Sequence, residues 1–432
     1  MWLAGIVAAG YLVDAAGLGL SAPLVLVASI ALAVGAGYFA LSQRPRLDAD
    51  CLAWVGVVLF VSAAVIRLSW PALVPPGRGP DLAHHLLLVD YLEQNGHLVH
   101  DRALEGAMGE MAHYTPGAHL LAALLGAWLG MDGTRAFFPL LAVCAALTTG
   151  YVFLIARRLL VPLPYAIAAV ALLFLPAQYF YGAFTHDSFL AQTAATFFAV
   201  AAWWALVAWD RDRSIFLAIV ISFLLVAVFL TWPVFVGPLV VVYVAVTLSV
   251  NDPPKPDEAL AKSGRRRTTP LLIGVAPVFL IAAMHLYGRW GWLGMVRTSG
   301  AVLAPSVASL GWLLPVLALI GLLISARDRD ARVSLVLLLV IALQALTLFV
   351  LARARGASTP YMAFKMVYLA IYPMAVFGAI AMGRLRSSTI GWILASVLVL
   401  IAVRPALTAP RTLPVVDLDL YEAGKWVRAN VG

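Results

Sequence analysis

The residues with the greatest catalytic potential lie in one segment between two apolar stretches, residues 70–138. Asp81 is followed closely by His84 and His85, and His113 and Tyr114 lie further along the same segment. Ionisable side chains cost free energy in or near a bilayer, so they concentrate where function needs them. A carboxylate placed there can take a proton from an attacking hydroxyl group. We therefore expect the chemistry in this segment, and these five residues are its candidates for catalysis or substrate contact.

These residues also have structural alternatives. Asp81 precedes a predicted helix, and Asp is a favoured N-cap residue. His84 and His85 could be polar residues of the membrane interface, or they could ligate a metal ion together with His186 and Asp187. Successive residues of a helix point about 100° apart, so His84 and His85 do not easily share one ion. We expect no certain cofactor, and a divalent metal ion is the alternative.

Further candidates fall on the same predicted side of the membrane. His186 and Asp187 interrupt two apolar stretches and are candidates for substrate binding; the alternative is a polar turn in which Asp187 caps the next helix. Lys365 stands among aromatic residues at the end of an apolar stretch. It is either a snorkelling lysine or a ligand of a lipid phosphate. Three arginines could also bind phosphate, because a guanidinium group can contact two phosphate oxygens at once: Arg297, Arg353 and Arg355.

The composition shows what kind of protein must position these residues. The chain is 63% hydrophobic and 12% charged, with a mean hydropathy of +0.95. An ordinary soluble domain is about half apolar and about a quarter charged. The sequence therefore predicts an all-α, polytopic transmembrane protein. The net charge of +8 lies in short loops, and no basic face with interleaved aromatic residues indicates nucleic-acid binding.

Apolar stretches predict about 13 membrane spans, since a spanning helix needs about 20 apolar residues. Their expected ranges are 2–20, 22–42, 51–69, 139–156, 162–177, 189–208, 214–231, 233–249, 269–287, 307–325, 333–351, 366–382 and 388–404. The division at Trp232-Pro233 allows either two helices or one kinked helix.

The short basic loops predict the orientation. With 13 spans, the loops that carry the arginine and lysine clusters all fall on the same side of the membrane. By the positive-inside rule, that side is cytoplasmic. They are Arg44/Arg46, Arg157/Arg158, Arg211/Arg213, Lys255 to Arg267, Arg327/Arg329/Arg332 and Arg384/Arg386. We therefore expect a multi-pass protein of the cell membrane, with Asp81 on the outer (periplasmic or extracellular) face.

The segment 70–138 is predicted to contain two interfacial helices. The spacing of Leu82, Val89 and Leu92 predicts a helix along the membrane surface that ends at Gly96. Tyr114-Thr115-Pro116-Gly117-Ala118-His119 opens an apolar helix that runs to about Leu129 and is too short to span.

Together these features resemble the GT-C class of membrane glycosyltransferases. The resemblance rests on an acidic residue after an outer helix end, the interfacial helix, Tyr-x-Pro-Gly-x-His, Gly-Met-Asp at 130–132 and Arg135 before the next span. It covers residues 51–210. It implies inverting transfer of a sugar from a polyprenyl-phosphate donor to a glycan, lipid or protein acceptor, with Asp81 as base. Two features depart from the class: a single Asp81 is followed by Leu82, and no large C-terminal outer domain follows.

On this interpretation the chain has three parts. Residues 1–50 are accessory transmembrane helices, residues 51–404 form the GT-C-like core with its large first outer loop, and residues 405–432 are a short outer tail or the start of a longer soluble domain. Within this tail, residues 415–428 are predicted to form a short amphipathic helix. Two alternatives remain for the function. One is a transporter or flippase of lipid-linked sugars, and the other is an acyl or phosphate transferase that uses the histidines. The second is disfavoured because, with Asp81 placed before the predicted helix that carries His85, no His/Asp pair has i, i+4 spacing within one predicted helix.

Overall fold

The computed structural model describes residues 1–42, 48–77, 80–249, 261–289, 300–384, 388–408 and 416–431. Within these ranges every regular element is a helix, apart from short turns of 3-10 helix. The first helices are α1 (Trp2–Ala15), α2 (Ala22–Ser42), α3 (Ala49–Ile66), α4 (Pro80–Asn95), α5 (Glu105–Met108), α6 (Gly117–Leu129), α7 (Gly133–Arg158), α8 (Leu163–Leu172), α9 (Ala177–Phe180) and α10 (Gly182–Thr185). They are followed by α11 (Leu190–Trp209), α12 (Ile215–Thr231), α13 (Val236–Leu248), α14 (Ala261–Gly288), α15 (Leu313–Ser325), α16 (Arg332–Ala354), α17 (Tyr361–Gly383), α18 (Ser388–Thr408) and α19 (Leu418–Val431).

Among the described residues, six helical segments are long and apolar enough to cross a membrane: Ala49–Ile66, Gly133–Arg158, Leu190–Trp209, Thr268–Tyr287, Arg332–Ala354 and Tyr361–Gly383. Large apolar side chains on several of them are exposed, including Leu272, Phe279, Leu343 and Leu346. Exposed apolar surface of this kind suits a lipid environment. The all-helical class is therefore confirmed. A helix also lies within each of the 13 predicted segments, although several are shorter than a span, so the number of spans stays a prediction.

The chain is broken between α12 and α13. The first of these helices ends at Thr231, a short 3-10 turn begins at Pro233, and α13 starts at Val236. Proline has no N–H to donate and its ring clashes with the preceding helical turn. The structure therefore has two helices here and not one kinked helix, and Trp232 lies at the break.

Helix α17, which carries Lys365, packs closely against α15. A Cβ atom at Gly321 of α15 would collide with the backbone of Phe377 in α17. Small residues allow helix backbones to approach in this way in apolar surroundings. Glycine at position 321 therefore allows α17 to pack directly against α15.

Helix α4 lies against α6 and α7, as expected for an interfacial helix. Its apolar residues Leu82, Val89 and Leu92 are buried, and its Glu93 carboxylate accepts a hydrogen bond of 2.7 Å from the N–H of Gly133 at the start of α7. The predicted helix that starts at Leu82 and ends at Gly96 is present at Pro80–Asn95, and the predicted element from Tyr114 to about Leu129 is helical over Gly117–Leu129. Most residues of α6 are buried, so this helix belongs to the core of the fold and does not lie on its surface.

The C-terminal residues form the predicted helix, α19, and this helix contacts α4. Arg428 donates to the Asp90 carboxylate at 2.5 Å, and the side chain of Tyr421 is buried near Asp132 and Arg135. The contact connects the last helix to the one that carries Asp81.

The helix bundle has two chemically different ends. We call the end with α4, residues 178–189, Trp232 and the start of α17 the Asp81 end. The opposite end, where α7 and α11 finish and α12 and α16 begin, is called the arginine end. There, arginines pair with aspartates: Arg157 with Asp50 at 2.9 Å, Arg211 with Asp330 at 2.7 Å and Arg332 with Asp210 at 2.8 Å.

Candidate functional site

Asp81 lies in the first turn of α4, inside the helix, so the alternative in which it is the N-cap residue is wrong. Asp81 and His85 also have i, i+4 spacing on this one helix, contrary to the expectation that no His/Asp pair does. An acidic residue in the first turn is favoured by the positive end of the helix dipole. Its carboxylate interacts electrostatically with Lys365, Tyr114 and Tyr361, all on other elements. The structure therefore brings Asp81 and Lys365, which are far apart in sequence, to the same end of the bundle.

Lys365, which lies at the same end of the bundle as Asp81, is buried, with 1% of its surface exposed. Its ammonium group faces aromatic rings on three separate segments: Phe189, Trp232 (5.6 Å to the centroid), Tyr361 (4.9 Å) and Tyr368 (5.8 Å). A cation over aromatic faces gains about 2 kcal/mol or more when it is desolvated. Within the described ranges no carboxylate makes a direct ion pair with Lys365, although Asp81 and Asp187 are both in electrostatic range.

Asp187 is the second carboxylate beside Lys365. Gln178 donates to its Oδ2 at 2.7 Å, Tyr368 donates to the same oxygen at 3.2 Å, and His186 Nδ1 lies 2.9 Å from Oδ1. Helix α11 begins at Leu190 with Phe189 as its N-cap, so the alternative in which Asp187 caps that helix is wrong. The hydrogen bonds fix Asp187 against α17 and not against the next helix.

A close contact between two loops positions these carboxylates. A Cβ atom at Gly77 would collide with the hydroxyl oxygen of Ser188, and Gly77 has φ of +148°. Ser188 is fully buried and itself has φ of +56°. The turn that leads into α4 therefore lies directly on the loop that carries Asp187, and only glycine fits at position 77.

His85 belongs to a buried aromatic and histidine cluster beneath Asp81. Its Nδ1 lies 2.8 Å from Nε2 of His119 on α6, and the ring of Tyr114 packs edge-on against both imidazoles. Burial, reinforced by the nearby positive charge of Lys365 and by His84, lowers the pKa of His85 to about 3. His85 is therefore a neutral hydrogen-bonding group at ordinary pH.

The element with His119 is held by a second glycine contact. A Cβ atom at Gly117 would meet the backbone of Leu230 and the hydroxyl of Thr231, and Thr115 donates to the Thr231 carbonyl at 3.2 Å. The Thr-Pro-Gly sequence thus places the start of α6 against the end of α12. Tyr114 also packs against Trp232 at that break, with 6.0 Å between centroids.

The candidate residues fall into three groups. Asp81, His85, Tyr114, Asp187 and Lys365 come together, with His186 attached through Asp187. His84 lies on α4 next to this cluster and has a buried Nδ1 without a hydrogen-bond partner. Their roles in catalysis or binding stay predictions.

The remaining candidates are elsewhere. His113 is near Glu105, with 3.5 Å between its Nε2 and Oε1 of the carboxylate. Both residues line a different cavity. Arg353 donates to the carbonyl of Ser358 and lies over Phe349, while Arg355 is exposed. Arg297 lies outside the described residues. Phosphate binding by Arg353 or Arg355 therefore stays a prediction, without a contact to the cluster.

Several members of the cluster were not expected from the sequence. They are Gln178, Phe189, Trp232, Tyr361, Tyr368 and His119, which were not among the predicted site residues. Tyr361, Lys365 and Tyr368 are spaced by four and three residues, so helical periodicity alone places them on one face of α17. The other residues come from segments whose contacts no local pattern predicts.

The arrangement can accept a proton and bind an anion. Asp81 can take a proton, and the caged Lys365 can hold a negatively charged group, with aromatic faces for a sugar or prenyl chain. Across the described ranges, no group of three His, Cys, Asp or Glu residues could hold a metal ion. No protein-family model and no curated protein matches this chain.

Proposed function

We propose that this protein transfers a sugar from a polyprenyl-phosphate donor to a hydroxyl-bearing acceptor at the outer face of the membrane, with Asp81 as the general base. The observation that carries this proposal is the buried Lys365 ammonium group with Asp81 and Asp187 in electrostatic range. The likeness of residues 51–210 to GT-C glycosyltransferases supports the same activity.

The burial of Lys365 argues for an anionic ligand. A buried charge is costly unless a partner compensates it. Aromatic rings supply part of this compensation, but Lys365 makes no direct ion pair within the described part of the chain. The phosphate of a lipid-linked sugar would complete its environment.

The proposed reaction conserves atoms and charge. An acceptor hydroxyl gives its proton to the Asp81 carboxylate while its oxygen forms a bond to the anomeric carbon of the sugar. The bond from that carbon to the phosphate oxygen breaks, and the phosphate leaves with the electron pair. Lys365 then stabilises the charge of the leaving phosphate, and no proton needs to be supplied to it.

Asp187 and the aromatic side chains would position the sugar. Both oxygens of Asp187 are already held in place by Gln178, Tyr368 and His186, so its orientation is fixed before substrate binds. A carboxylate whose orientation is already fixed loses little conformational entropy when it accepts hydrogen bonds from sugar hydroxyls. The alternatives, glycan, lipid or protein, all offer the hydroxyl that this site needs.

An Asp81→Asn substitution tests the proposal. We would incubate purified protein with a panel of polyprenyl-phosphate pentoses and hexoses, together with hydroxyl-bearing glycan, lipid and peptide acceptors, and measure release of the lipid phosphate and transfer of the sugar to the acceptor. General-base catalysis contributes about 10²–10⁴-fold, so the rate should fall by at least about 100-fold. Asp90→Asn is the matched control, since Asp90 is on the same helix but pairs with Arg428. Undiminished transfer by folded Asp81→Asn protein would exclude Asp81 as the base.

One observation favours a second function, movement of lipid-linked sugars without chemistry. The break between α12 and α13 places Trp232 beside Lys365, and transporters commonly bind substrates at interrupted helices. Liposomes containing the protein would separate the two functions. Movement of a labelled lipid-linked sugar that persists in Asp81→Asn and stops in Lys365→Met, without release of lipid phosphate, would favour transport.

A further inference from the structure

A second polar cavity lies between α1 and α14, away from the Asp81 cluster. Its volume is about 570 Å³, within the range of about 300–1,000 Å³ common for small-molecule sites. It is lined by Tyr11, Asp14, Ala15, Leu98, His100, Ala283, Met284, Tyr287 and Arg289. No residue of the cluster around Lys365 is among them.

The acidic residue of this cavity is already satisfied. Oδ1 of Asp14 accepts a hydrogen bond of 2.8 Å from the N–H of Leu98, and Oδ2 lies 2.9 Å from Nε2 of His100. The side chain of Asp14 is almost fully buried. A cation would have to compete with these two partners, so the carboxylate acts as a support for His100.

Among the described residues, Arg289 is the one lysine or arginine that lines the cavity. One of its terminal nitrogens donates to the carbonyl of Val99 at 2.9 Å, which fixes the guanidinium group. The carboxylates of Asp14, Asp101 and Glu105 line this cavity or the adjoining one. No carboxylate among the described residues forms an ion pair with it. Arg289 and His100 also line an adjoining cavity of about 100 Å³, next to Glu105 and His113.

The other walls are apolar and open outward. Tyr287 is 85% exposed and Met284 is 40% exposed, and both lie at the end of the predicted span Thr268–Tyr287. Tyrosine is enriched where a spanning helix meets the headgroup region. The cavity therefore has a cation at its polar side and opens at the level where lipid headgroups meet acyl chains.

We propose that this cavity binds the phosphate headgroup of a lipid, with Arg289 as the phosphate ligand and His100, oriented by Asp14, as a second polar contact. The lipid chain would lie along Met284 and Tyr287. A planar guanidinium group suits the paired oxygens of a phosphate. The inference does not depend on the proposed sugar transfer, because the site shares no residue with it. The phosphate could come from a bilayer phospholipid or from a polyprenyl phosphate.

Native mass spectrometry of delipidated protein in detergent tests this inference. The probes are phosphatidylglycerol, polyprenyl phosphate and diacylglycerol, which lacks a phosphate. All measurements use the Lys365→Met background, so that binding at Lys365 is not counted. We expect one bound phosphate lipid and no comparable binding of diacylglycerol. Arg289→Gln should weaken binding by about 10- to 100-fold, whereas Lys425→Gln, which removes an exposed cation on α19, should leave it unchanged.

A steric variant keeps the test decisive if Arg289→Gln does not fold. Ala283→Trp fills the cavity from its apolar side and should also abolish binding. Preference for polyprenyl phosphate or for phosphatidylglycerol identifies the source of the headgroup, and either result supports the site. Equal binding by parent and Arg289→Gln, or equal binding of diacylglycerol, would overturn it.

Discussion

The two ends of the helix bundle use charge differently. At the arginine end Arg157, Arg211 and Arg332 each have an aspartate within 2.9 Å. At the Asp81 end Lys365 and Arg289 have no direct carboxylate partner in the described parts of the chain, and both are at least partly buried. Ion pairs at the first end connect loops to one another. We propose that the buried cations at the second end bind a ligand that is not part of the chain.

We infer from this difference that the paired arginines at the arginine end have a structural role and that the buried cations at the Asp81 end have a functional one. An exposed ion pair contributes about 0–1 kcal/mol, so the arginine end tolerates change and serves mainly to join loops. A buried cation without a partner is unfavourable for folding and persists where function requires it. The comparison therefore predicts opposite responses to substitution at the two ends.

The largest effect is expected for Lys365→Met. Methionine preserves the volume in the aromatic cage but removes the charge, so sugar transfer should fall by about 100-fold or more. The melting temperature should be unchanged or higher, because a desolvated charge has been removed. Activity assays and thermal unfolding of the purified variant provide both measurements.

Arg332→Met is the matched control at the arginine end. It should retain activity and lose at most about 1 kcal/mol of stability, because Arg213 remains near Asp210 at 3.6 Å. A Lys365→Met protein that unfolds more easily yet keeps full activity would show that Lys365 is structural and would remove the contrast between the ends.

A smaller effect is expected from acid at the His85–His119 pair. The pKa of His85 is about 3 in the folded protein, because of burial and the charge of Lys365, and about 6.5 in the unfolded chain. The folded state thus binds fewer protons than the unfolded chain. The free energy of unfolding is therefore highest above pH 6.5 and decreases as pH falls toward 3. At pH 5 the loss is roughly 2 kcal/mol.

Melting temperatures between pH 5 and 8 would measure this loss. His85→Gln keeps a polar group but cannot be protonated, so its curve should be flatter below pH 6.5. His186→Gln, at a half-exposed histidine, should keep the parent slope. The same slope in His85→Gln as in the parent protein would assign the acid sensitivity to other groups.

The smallest effect concerns the contact between the two loops. Gly77→Ala places a Cβ against Ser188 at a φ that alanine rarely adopts, and should cost about 1–2 kcal/mol and reduce activity by moving Asp187. Adding Ser188→Gly removes the obstructing side chain and should restore part of both. Gly56→Ala, a helix position with open space around it, should be neutral or slightly stabilising. An unchanged Gly77→Ala protein would show that the loops adjust freely.

Local patterns in the sequence predicted the helices well. Apolar periodicity located α4, α6 and α19, and Pro233 marked the break after α12, because these signals depend only on neighbouring residues. The number of spans does not follow from hydropathy in the same way. Helices such as α8, with 10 residues, are apolar but too short to cross a bilayer alone.

The composition of the site was harder to predict. Asp81, Asp187 and Lys365 could be selected because ionisable residues are conspicuous in an apolar chain. Phe189 and Trp232 could not, since aromatic residues are common throughout it and only packing shows which of them face a cation. His113 was grouped with Asp81 on the basis of loop membership, but the fold places it beside Glu105 and near Arg289.

The bond between Asp14 and His100 has a consequence for how the protein is made. Asp14 belongs to α1, and its partner follows 86 residues later in the chain. Tyr11 contacts His285, which is 274 residues away in the chain, at 3.5 Å. During synthesis α1 therefore carries a carboxylate without its partner until α4 has followed, and the wall formed by α14 arrives later still. During membrane insertion, α1 therefore reaches its final packing only after the loop that follows α4, and then α14, have been made.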